Sequence, residues 1–507
     1  MDPLPCANAS LGGPEMILNM EPLPDRMTVL GCSIYFNRWA PAPASRYELW
    51  VTTGRDFEAR FLGQDLLVPW EALGDLLLFS RWQIGRTDGT EAGTFNLTQH
   101  RFTEERDGVA LGGTFLFASG DPDYKQGVEL WRTDGTREGT SLLKELLPGN
   151  APQKKGPFGF TYHKGHALFW SDDEAGGGAL WKSDGTAEGT IKLRDVTRTL
   201  DTPDTLASKN GKPATVVGDN VYFLGAGPAS GFGIWRTDGT ASGTELLTRL
   251  DAPAPGRASL FRADDIYEMA AFDGHAYVYA QRHCNNFEGA VACWSPPYDT
   301  LIRTDGTKEG TEVVLEISRT ATPSSRANFI ATDKALYFWR DQVLVTDAGR
   351  SNRYALFRTD GTAAGTYEVT LGGLTSTEPG RTIYSPIQFR GLLYFAGLTP
   401  DTGFELWKTD GTPNGAELVK DIHPGPTGSD PENMTLIGET LYFAADDGVH
   451  GIEVWATDGT SENTRLLADI NTNGNASPLG FIKFGDAVAF VATDGTHTGR
   501  QLWRIRR

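Results

Sequence analysis

The chain has 507 residues, of which 39% are hydrophobic and 22% charged, a mixture that can build a large core and excludes a wholly disordered protein. The 60 glycines and 28 prolines follow no collagen-like period, so they indicate many tight turns and an all-β chain. With 46 basic and 65 acidic residues, the net charge is −19, which argues against binding to nucleic acid or to anionic lipid.

The first predicted element is a strand at residues 15–20, which is followed directly by a second apolar strand, Thr28-Val29-Leu30. From there a repeat organises the chain: the segment 131–136, Trp-Arg-Thr-Asp-Gly-Thr, recurs at intervals of 46 to 67 residues. Such a period is typical of solenoids, propellers and arrays. The aspartates of the eight copies are Asp88, Asp134, Asp184, Asp238, Asp305, Asp360, Asp410 and Asp458. Two degenerate copies, at 48–54 and 501–504, keep the strand without this aspartate.

Each unit also contains an apolar triplet such as Ile34-Tyr35-Phe36 or Leu441-Tyr442-Phe443, and ten such triplets occur. One unit therefore consists of strand A, a Gly turn, strand B, a variable loop, strand C, the Asp-Gly-Thr turn and strand D. Four short antiparallel strands in about 40–50 residues are typical of a propeller blade.

Ten copies of strand C predict a single large β-propeller of about ten four-stranded blades, residues 15–507, preceded by an N-terminal extension, residues 1–14. The last unit stops after strand C at Trp503, so the strand at 15–20 would supply its strand D and close the propeller. Two five-bladed propellers are the alternative.

The four cysteines bear on the compartment. Cys6 and Cys32 flank the first strands, and Cys284 and Cys293 lie in one loop-like segment. Two pairs fit two disulfides and an oxidising compartment, whereas four reduced thiols would fit the cytosol. The sequence shows no signal peptide and no apolar run long enough to span a membrane. We predict an extracytoplasmic protein, periplasmic, surface-exposed or secreted, without membrane insertion.

The repeated segments, such as Glu129-Leu130-Trp131-Arg132-Thr133-Asp134-Gly135-Thr136 and residues 405–412, resemble the ELWxxDGT repeat family of bacterial exported proteins. The turn also resembles the Asp-box hairpins of sialidases and sortilin-type propellers, which are structural there and lie away from the ligand. The resemblance implies export and surface display or binding.

The physical chemistry of the turn agrees with a structural role for its aspartates. An Asp at the start of a turn can accept the N–H groups of the following residues, and the next Gly tolerates positive φ. The Trp of strand C is expected to pack between neighbouring sheets. Calcium is the alternative ligand for these aspartates, but one carboxylate per turn is few for an ion that takes about 6–8 oxygens. We therefore predict no cofactor.

Function is expected on the loops that differ between units, which in a four-stranded blade lie opposite the Asp-Gly-Thr turns. The longest predicted B–C loop, from Gln281 to Tyr298, supplies the candidate ligand-binding residues. These are Arg282, His283, Phe287, Trp294 and Tyr298. A disulfide-pinned loop with aromatic anchors could bind a partner or could be a decoration without one. Acidic B–C loops give weaker candidates for calcium, for which solvated turns are the alternative: Asp121, Asp123, Asp446 and Asp447.

Three functions follow from these observations. The preferred one is a non-enzymatic binding propeller for a glycan or protein ligand, because no catalytic motif is visible in the sequence. The second is a glycan-processing hydrolase or lyase with carboxylates at the propeller axis, since such carboxylates can come from different blades. The third is a structural protein of the cell envelope.

Overall fold

The fold was analysed in a computed structural model of the chain. The residues that it describes are 14–18, 24–40, 46–53, 58–64, 69–80, 83–98, 108–120, 128–146, 156–172, 178–196, 214–228, 231–250, 267–282, 298–318, 329–346, 349–369, 383–497 and 499–506. They form 40 strands in ten four-stranded antiparallel sheets. This ten-bladed β-propeller confirms the predicted fold class. Within the described ranges, no helix is long and apolar enough to cross a membrane.

The chain divides into two compact units, Met1–Leu97 with Val369–Arg507, and Thr98–Glu368. Each unit contains five blades, which we number in chain order.

The first unit contains blades 1, 2, 8, 9 and 10. Blade 1 consists of β2 (Pro24–Leu30), β3 (Ser33–Ala40), β4 (Arg46–Thr52) and β5 (Arg60–Gln64), and blade 2 consists of β6 (Pro69–Leu73), β7 (Leu76–Ser80), β8 (Ile84–Thr87) and β9 (Phe95–Asn96). Blade 8 consists of β30 (Ile383–Phe389), β31 (Leu392–Thr399), β32 (Gly403–Thr409) and β33 (Ala416–Lys420); blade 9 consists of β34 (Glu432–Ile437), β35 (Thr440–Asp446), β36 (Ile452–Thr457) and β37 (Arg465–Ala468); and blade 10 consists of β38 (Leu479–Phe484), β39 (Ala487–Ala492), β40 (Gln501–Arg506) and β1 (Glu15–Leu18).

The second unit contains blades 3 to 7. Blade 3 consists of β10 (Gly108–Leu111), β11 (Thr114–Gly120), β12 (Val128–Thr133) and β13 (Ser141–Lys144), and blade 4 consists of β14 (Phe158–His163), β15 (His166–Asp172), β16 (Gly178–Ser183) and β17 (Ile191–Asp195). Blade 5 consists of β18 (Ala214–Val217), β19 (Asn220–Gly227), β20 (Gly231–Thr237) and β21 (Glu245–Arg249); blade 6 consists of β22 (Tyr267–Phe272), β23 (His275–Arg282), β24 (Tyr298–Thr304) and β25 (Glu312–Ser318); and blade 7 consists of β26 (Ile330–Ala331), β27 (Leu336–Thr346), β28 (Gly349–Thr359) and β29 (Tyr367–Glu368).

Strand B of each blade is buried on both faces, which explains the apolar triplets. In blade 9, Phe443 of β35 packs with residues of blade 8, and its neighbour Tyr442 packs with residues of blade 10. Successive side chains of a strand point to opposite faces, so an uninterrupted apolar run fills two blade interfaces at once. All ten predicted triplets lie in strand B of a blade.

The strand C tryptophans lie between blades, as predicted. Trp455 of blade 9 packs against Leu406 and Val419 of blade 8. Trp235 of blade 5 packs against Leu168 and Leu180 of blade 4. The apolar area that each indole buries therefore joins one blade to the blade before it.

Blade 10 is completed by the N-terminal strand, as the sequence predicted. Strand β1 pairs antiparallel with β40, with Glu15 opposite Arg504 and Met16 opposite Trp503. Ile17 is 2% exposed and packs in an apolar cluster with Phe36 of blade 1 and Phe484 of blade 10. The pairing covers an edge of β40 that would otherwise be open.

The up-and-down order of each sheet fixes which connections share an end. The A–B and C–D turns lie at one end of a blade, which we call the turn end. The B–C loop and the link from strand D to the next blade lie at the other, which we call the loop end. The Asp-Gly-Thr segments are C–D turns and therefore belong to the turn end.

Candidate functional site

Each Asp-Gly-Thr turn is closed by its own hydrogen bonds, as blade 3 shows. Asp134 Oδ1 accepts the backbone N–H of Thr136 at 2.8 Å and its hydroxyl at 2.7 Å. The hydroxyl oxygen of Thr136 accepts the N–H of Gly139, and Thr133 Oγ1 accepts that of Gly135, both at 2.9 Å. The carboxylate is thus engaged within the turn. The same two bonds from Thr to Asp occur in all eight copies.

Glycine is required twice in the turn for different reasons. Gly135 has φ +86°, a left-handed conformation that only glycine adopts without strain. A Cβ on Gly139 would overlap the carboxylate of Asp134. The eighth copy has Asn463 at this second position, where its Nδ2 donates to Asp458 Oδ2 at 2.8 Å. A polar side chain is therefore accommodated there by bonding the aspartate.

Hydrogen bonds also hold the pKa of turn aspartates, among them Asp134, Asp184 and Asp458, below the ordinary value of 3.8. For Asp134, Asp184 and Asp458 the Thr hydroxyl two residues later is the main cause. Because the folded-state pKa is lowered, the stabilisation from these groups is present above pH 3.8 and is lost as the pH falls.

The turn of one blade is bound by the preceding blade. In blade 3, Arg132 donates to the carbonyl oxygen of Gly185 at 3.2 Å. Lys144 Nζ donates to the carbonyls of Ala187 and Thr190 at 3.0 and 2.6 Å. These acceptors all belong to the turn of blade 4.

The same interblade contact occurs in the other unit. Lys408 and Lys420 of blade 8 donate to the carbonyls of Gly459 and Thr464 in the turn of blade 9, at 3.3 and 2.6 Å. The hydroxyl of Tyr394 lies so close to Gly459 that a Cβ there would overlap it. The turns therefore join neighbouring blades, and we call this contact, from basic side chains of one blade to the turn carbonyls of the next, the latch. It agrees with the structural role predicted for the turn aspartates.

Removing the carboxylate of one turn aspartate should weaken the hydrogen bonding of that turn. We expect Asp134→Ala to cost about 1–2 kcal/mol, because two donors of Thr136 lose their acceptor. Faster amide hydrogen exchange across residues 135–140 would report the loss. Asp134→Asn keeps an acceptor and should have a smaller effect. The exposed Glu138 of the same turn is the control. If Glu138→Ala accelerated exchange as much as Asp134→Ala, the proposed role of the carboxylate would be wrong.

The acidic B–C loop of blade 9 is held by hydrogen bonds from its own aspartates. Asp447 Oδ1 accepts the N–H groups of Val449 and His450 at 2.9 and 2.8 Å, and its Oδ2 lies 2.7 Å from Nδ1 of His450. Asp446 Oδ1 accepts the N–H of Gly448 at 2.7 Å.

Two of the four calcium candidates, Asp121 and Asp123, lie outside the described residues. In the described part of the chain, no group of three His, Cys, Asp or Glu side chains is placed to hold a metal ion. Asp446 and Asp447 therefore shape a loop; that the chain has no cofactor, with calcium as the alternative, stays a prediction.

The glutamate that precedes Leu-Trp in strand C has a function that the sequence analysis missed. Glu405 is fully buried and accepts the N–H groups of Ile422, His423 and Ser429 at 2.9–3.0 Å, and the Ser429 hydroxyl at 2.6 Å. All three residues belong to the link from blade 8 to blade 9. The carboxylate thus fixes this link at the loop end.

The same arrangement recurs in blade 9. Glu453 is fully buried and accepts the N–H groups of Ile470, Asn471 and Ala476 at 2.8–3.2 Å. Burial raises its pKa from the ordinary 4.5 to about 7, with a further contribution from nearby Asp469 and an opposing one from the three amides. The signal in the sequence is a Glu in strand C followed 17 residues later by Ile, which is Ile422 after Glu405 and Ile470 after Glu453.

The structure places the predicted ligand loop in blade 6 between β23 and β24. The backbones of Arg282 and Tyr298 are directly paired at the end of this hairpin, which belongs to the loop end. The candidates His283, Phe287 and Trp294 lie outside the described residues.

The predicted cysteine pairs are only partly within the described residues. Cys32 lies in the turn between β2 and β3, whereas Cys6, Cys284 and Cys293 lie outside these residues. The pairing of the four cysteines therefore stays a prediction.

Blade 7 has a long B–C hairpin at the loop end, which the sequence analysis did not single out. Strands β27 and β28 form eleven consecutive register pairs, from Leu336–Thr359 to Thr346–Gly349. The corresponding strands of blade 6 form seven. Blade 7 thus carries a β-hairpin arm, formed by β27 and β28, whereas residues 283–297 of blade 6 lie outside the described residues.

No protein-family profile matches the chain, and no curated protein matches it either. Solved structures do match. Puromycin hydrolase has 12% identity and a TM-score of 0.31, over 85% of this chain and 59% of that one. The β-propeller domain of the Trilobed protease from Pyrococcus furiosus has 12% identity and a TM-score of 0.27, over 69% and 95%. TolB from Acinetobacter baumannii has 14% identity and a TM-score of 0.25, over 56% and 65%.

The chain spans about three fifths of the length of puromycin hydrolase. Similarity at this level carries no argument about activity, so the function must be argued from this chain's own residues.

Proposed function

We propose that the protein is a non-enzymatic binding propeller of an extracytoplasmic compartment, which recognises a glycan or protein ligand through its loop end. The observation that carries this proposal is the difference between the two ends. At the turn end, the repeated Asp and Thr groups are engaged in hydrogen bonds within a turn, and the turn carbonyls accept donors from the preceding blade. At the loop end, neighbouring blades differ in the length of their connections.

Blades 6 and 7 are the best candidates within the loop end. In the sequence, fifteen residues separate β23 from β24 in blade 6, and blade 7 has the long hairpin of β27 and β28, whereas the B–C turns of blades 8 and 9 are short and closed by their own contacts. In blade 8, Thr399 and Thr402 hydroxyls bond each other at 2.7 Å across the turn. In blade 9, Asp447 bonds three groups of its loop. Variable loops on a rigid scaffold commonly carry binding function.

The buried carboxylates favour binding over glycan hydrolysis. Glu405 and Glu453 have the burial that a catalytic acid would need, but their oxygens accept the amides of the interblade links. A hydrolase needs two carboxyl groups on either side of a substrate bond, about 5–10 Å apart. The two cysteine pairs of the sequence and the resemblance of the repeats to exported proteins support the extracytoplasmic location.

A glycan and peptide binding array tests the proposal. We expect the wild-type protein to bind, and the double variant Trp294→Ala with Tyr298→Ala to bind at least about tenfold more weakly, because aromatic anchors dominate binding energy. Tyr162→Ala is the matched control, since Tyr162 is an exposed aromatic on strand A of blade 4. Equal binding by all three proteins would remove the blade 6 loop from consideration. Cleaved glycans in the array would favour the hydrolase alternative.

A further inference from the structure

The link between blades 8 and 9 connects the buried Glu405 to the B–C loop of the next blade. Glu405 accepts the N–H of Ser429 at 3.0 Å and its hydroxyl at 2.6 Å. The carbonyl of Ser429 in turn accepts the N–H of Asp446, the last residue of β35, at 2.9 Å. The ring of His423 lies so close to Gly448 that a Cβ there would overlap it. The B–C loop of blade 9 is therefore seated on a link that Glu405 holds.

The link between blades 9 and 10 repeats this arrangement. Glu453 accepts the N–H of Ala476 at 3.2 Å, and the carbonyl of Ala476 accepts the N–H of Thr493, directly after β39, at 3.0 Å. Asn471, whose N–H also bonds Glu453, lies so close to Gly495 that a Cβ there would overlap its side chain. The carboxyl of one blade thus positions, through the link, the B–C loop of the following blade.

The two loops that are seated in this way reach solvent at the loop end. Both carry the same Asp–His contact: Asp447 Oδ2 lies 2.7 Å from Nδ1 of His450, and Asp494 Oδ2 lies 2.7 Å from Nδ1 of His497. At the tip of the first loop, Val449 is 81% exposed. A change in either link is therefore transmitted to exposed side chains of the loop end.

The surroundings of Glu453 set the charge that it can carry. Burial and the neighbouring Asp469 of the link raise its pKa to about 7, whereas the three link amides that it accepts lower it. His450 of the B–C loop also interacts with Glu453, and its own pKa is raised, mainly by the hydrogen bond to Asp447. Above pH 7, a seated Glu453 must carry its charge in a buried position beside the carboxylate of Asp469.

The equivalent position of strand C separates the effect of charge from that of shape. Burial also raises the pKa of Glu405, with a smaller contribution from Asp421 of its link. In blade 10 the equivalent residue is Gln501, which does not titrate. Its Oε1 accepts the N–H of Asp494 at 3.2 Å, and its Nε2 donates to the carbonyl of Gly499 at 3.1 Å. This position therefore accommodates a neutral amide that still bonds the backbone of a loop.

We propose that Glu405 and Glu453 make the loop end of blades 9 and 10 respond to pH: the links and the B–C loops seated on them are ordered while these carboxyls are protonated and loosen when they ionise. An opened link returns the carboxyl to water, where the charged form costs less. For Glu453 the folded-state pKa is raised, so its stabilisation is complete below pH 4.5 and is lost as the pH rises to about 7. The inference goes beyond the proposed function, because it concerns the order of two loops whether or not they bind a ligand.

Amide hydrogen exchange of the full chain at pH 5 and pH 8 tests the proposal, with each rate divided by the intrinsic rate of an unstructured peptide at the same pH. We expect the protection of residues 470–476 and of Thr493 to fall at least about tenfold between the two pH values. The protection of residues 422–429 and of Asp446, which depend on Glu405, should fall as well. Because the opening is local, these segments should exchange faster than the paired strands β35 and β36 at both pH values.

Two variants serve as controls for each other. Glu453→Gln should make the protection of 470–476 and of Thr493 independent of pH, while residues 422–429 and Asp446 keep their pH dependence. Glu405→Gln should do the reverse. Circular dichroism establishes that each variant folds, and if one does not, the other decides alone.

Four results would overturn the inference. The first is protection of both links that does not change with pH in the wild-type protein. The second is a fall at residues 470–476 that persists in Glu453→Gln, which would assign the effect to Asp469 or His450. The third is a fall in the link without a change at Thr493, which would mean that the link does not position the following loop. The fourth is equal exchange in β35 and β36, which would mean that the blade opens as a whole. No ligand is added, so a failed binding array would reject the proposed function without affecting this result.

Discussion

Replacing Ile17 by aspartate is expected to destabilise the protein by about 4 kcal/mol or more, because an unpaired carboxylate would enter an apolar cluster. Ile17 lies in β1, is 2% exposed, and packs with Ile34, Phe484 and Leu502. The loss of burial would detach β1 from β40 and leave blade 10 with three strands. A lowered melting temperature and rapid amide exchange in β40 would measure the effect.

The control for this substitution lies in the same unit. Val449 is 81% exposed, so Val449→Asp introduces the same charge with little change in stability. Comparable destabilisation by both variants would show that the added charge, and not the detached strand, is responsible.

A second pair of variants tests the polar part of the same closure. Arg504 is 5% exposed and donates to Glu15 Oε2 at 2.8 Å. Glu15→Ala should cost about 2 kcal/mol, since it leaves the guanidinium buried without this partner. The ion pair of Arg506 with Asp486 is much more exposed, and Asp486→Ala should change stability by less than about 0.5 kcal/mol.

The stability of the protein should fall as the pH rises from 4.5 to about 7, because of Glu453. Its pKa is about 7 in the folded protein and near 4.5 in the unfolded chain, so the folded state binds more protons in this range. This difference corresponds to about 3 kcal/mol. Above about pH 8 the carboxyl is mostly ionised in both states, and its contribution changes little.

The measurement compares wild type with Glu453→Gln at pH 5 and pH 8 by denaturant unfolding. Glutamine does not titrate, so the stability of the variant relative to wild type should rise by about 2–3 kcal/mol between the two pH values. Glu405, whose pKa is also raised by burial, is present in both proteins and does not enter this difference. Glu417→Gln is the control, because Glu417 is exposed beside Lys408. A difference that stays constant with pH would contradict the burial of a titrating carboxyl.

The blade architecture could be predicted from the sequence because its signals are local and repeated. The triplet Leu441-Tyr442-Phe443 is apolar because both of its faces are buried. The Asp134 turn needs an acceptor, two glycines and two hydroxyls within seven residues, and this chemistry is visible in the letters. The closing strand was found because Trp503 lacked a strand D.

The function of Glu405 could not be predicted in the same way. Its partners lie 17 to 24 residues away in the link, and a charged side chain in a strand is ordinarily expected to face solvent. Only the fold shows that this carboxylate lies where four donors converge.

The blade 7 arm was missed for a different reason. Its residues 341–346 mix polar and apolar types, so they do not resemble the apolar triplets of strand B. A usable signal was present, since Gly349 is the only Gly or Pro between Leu336 and Leu356. A segment that contains one glycine and no other turn-forming Gly or Pro favours a long hairpin with its turn near that glycine.

The latch between blades has a direction, and this has a consequence for how such a protein can change size in evolution. In blades 3 and 8, the basic side chains of strands C and D are donors, and the turn of the following blade is the acceptor. A unit that carries both the basic donors and the acceptor turn can be duplicated in tandem. The new copy can then form the same contact with the blade before it and with the blade after it. Gene duplication could thus add or delete whole units without new residues having to arise at the junctions.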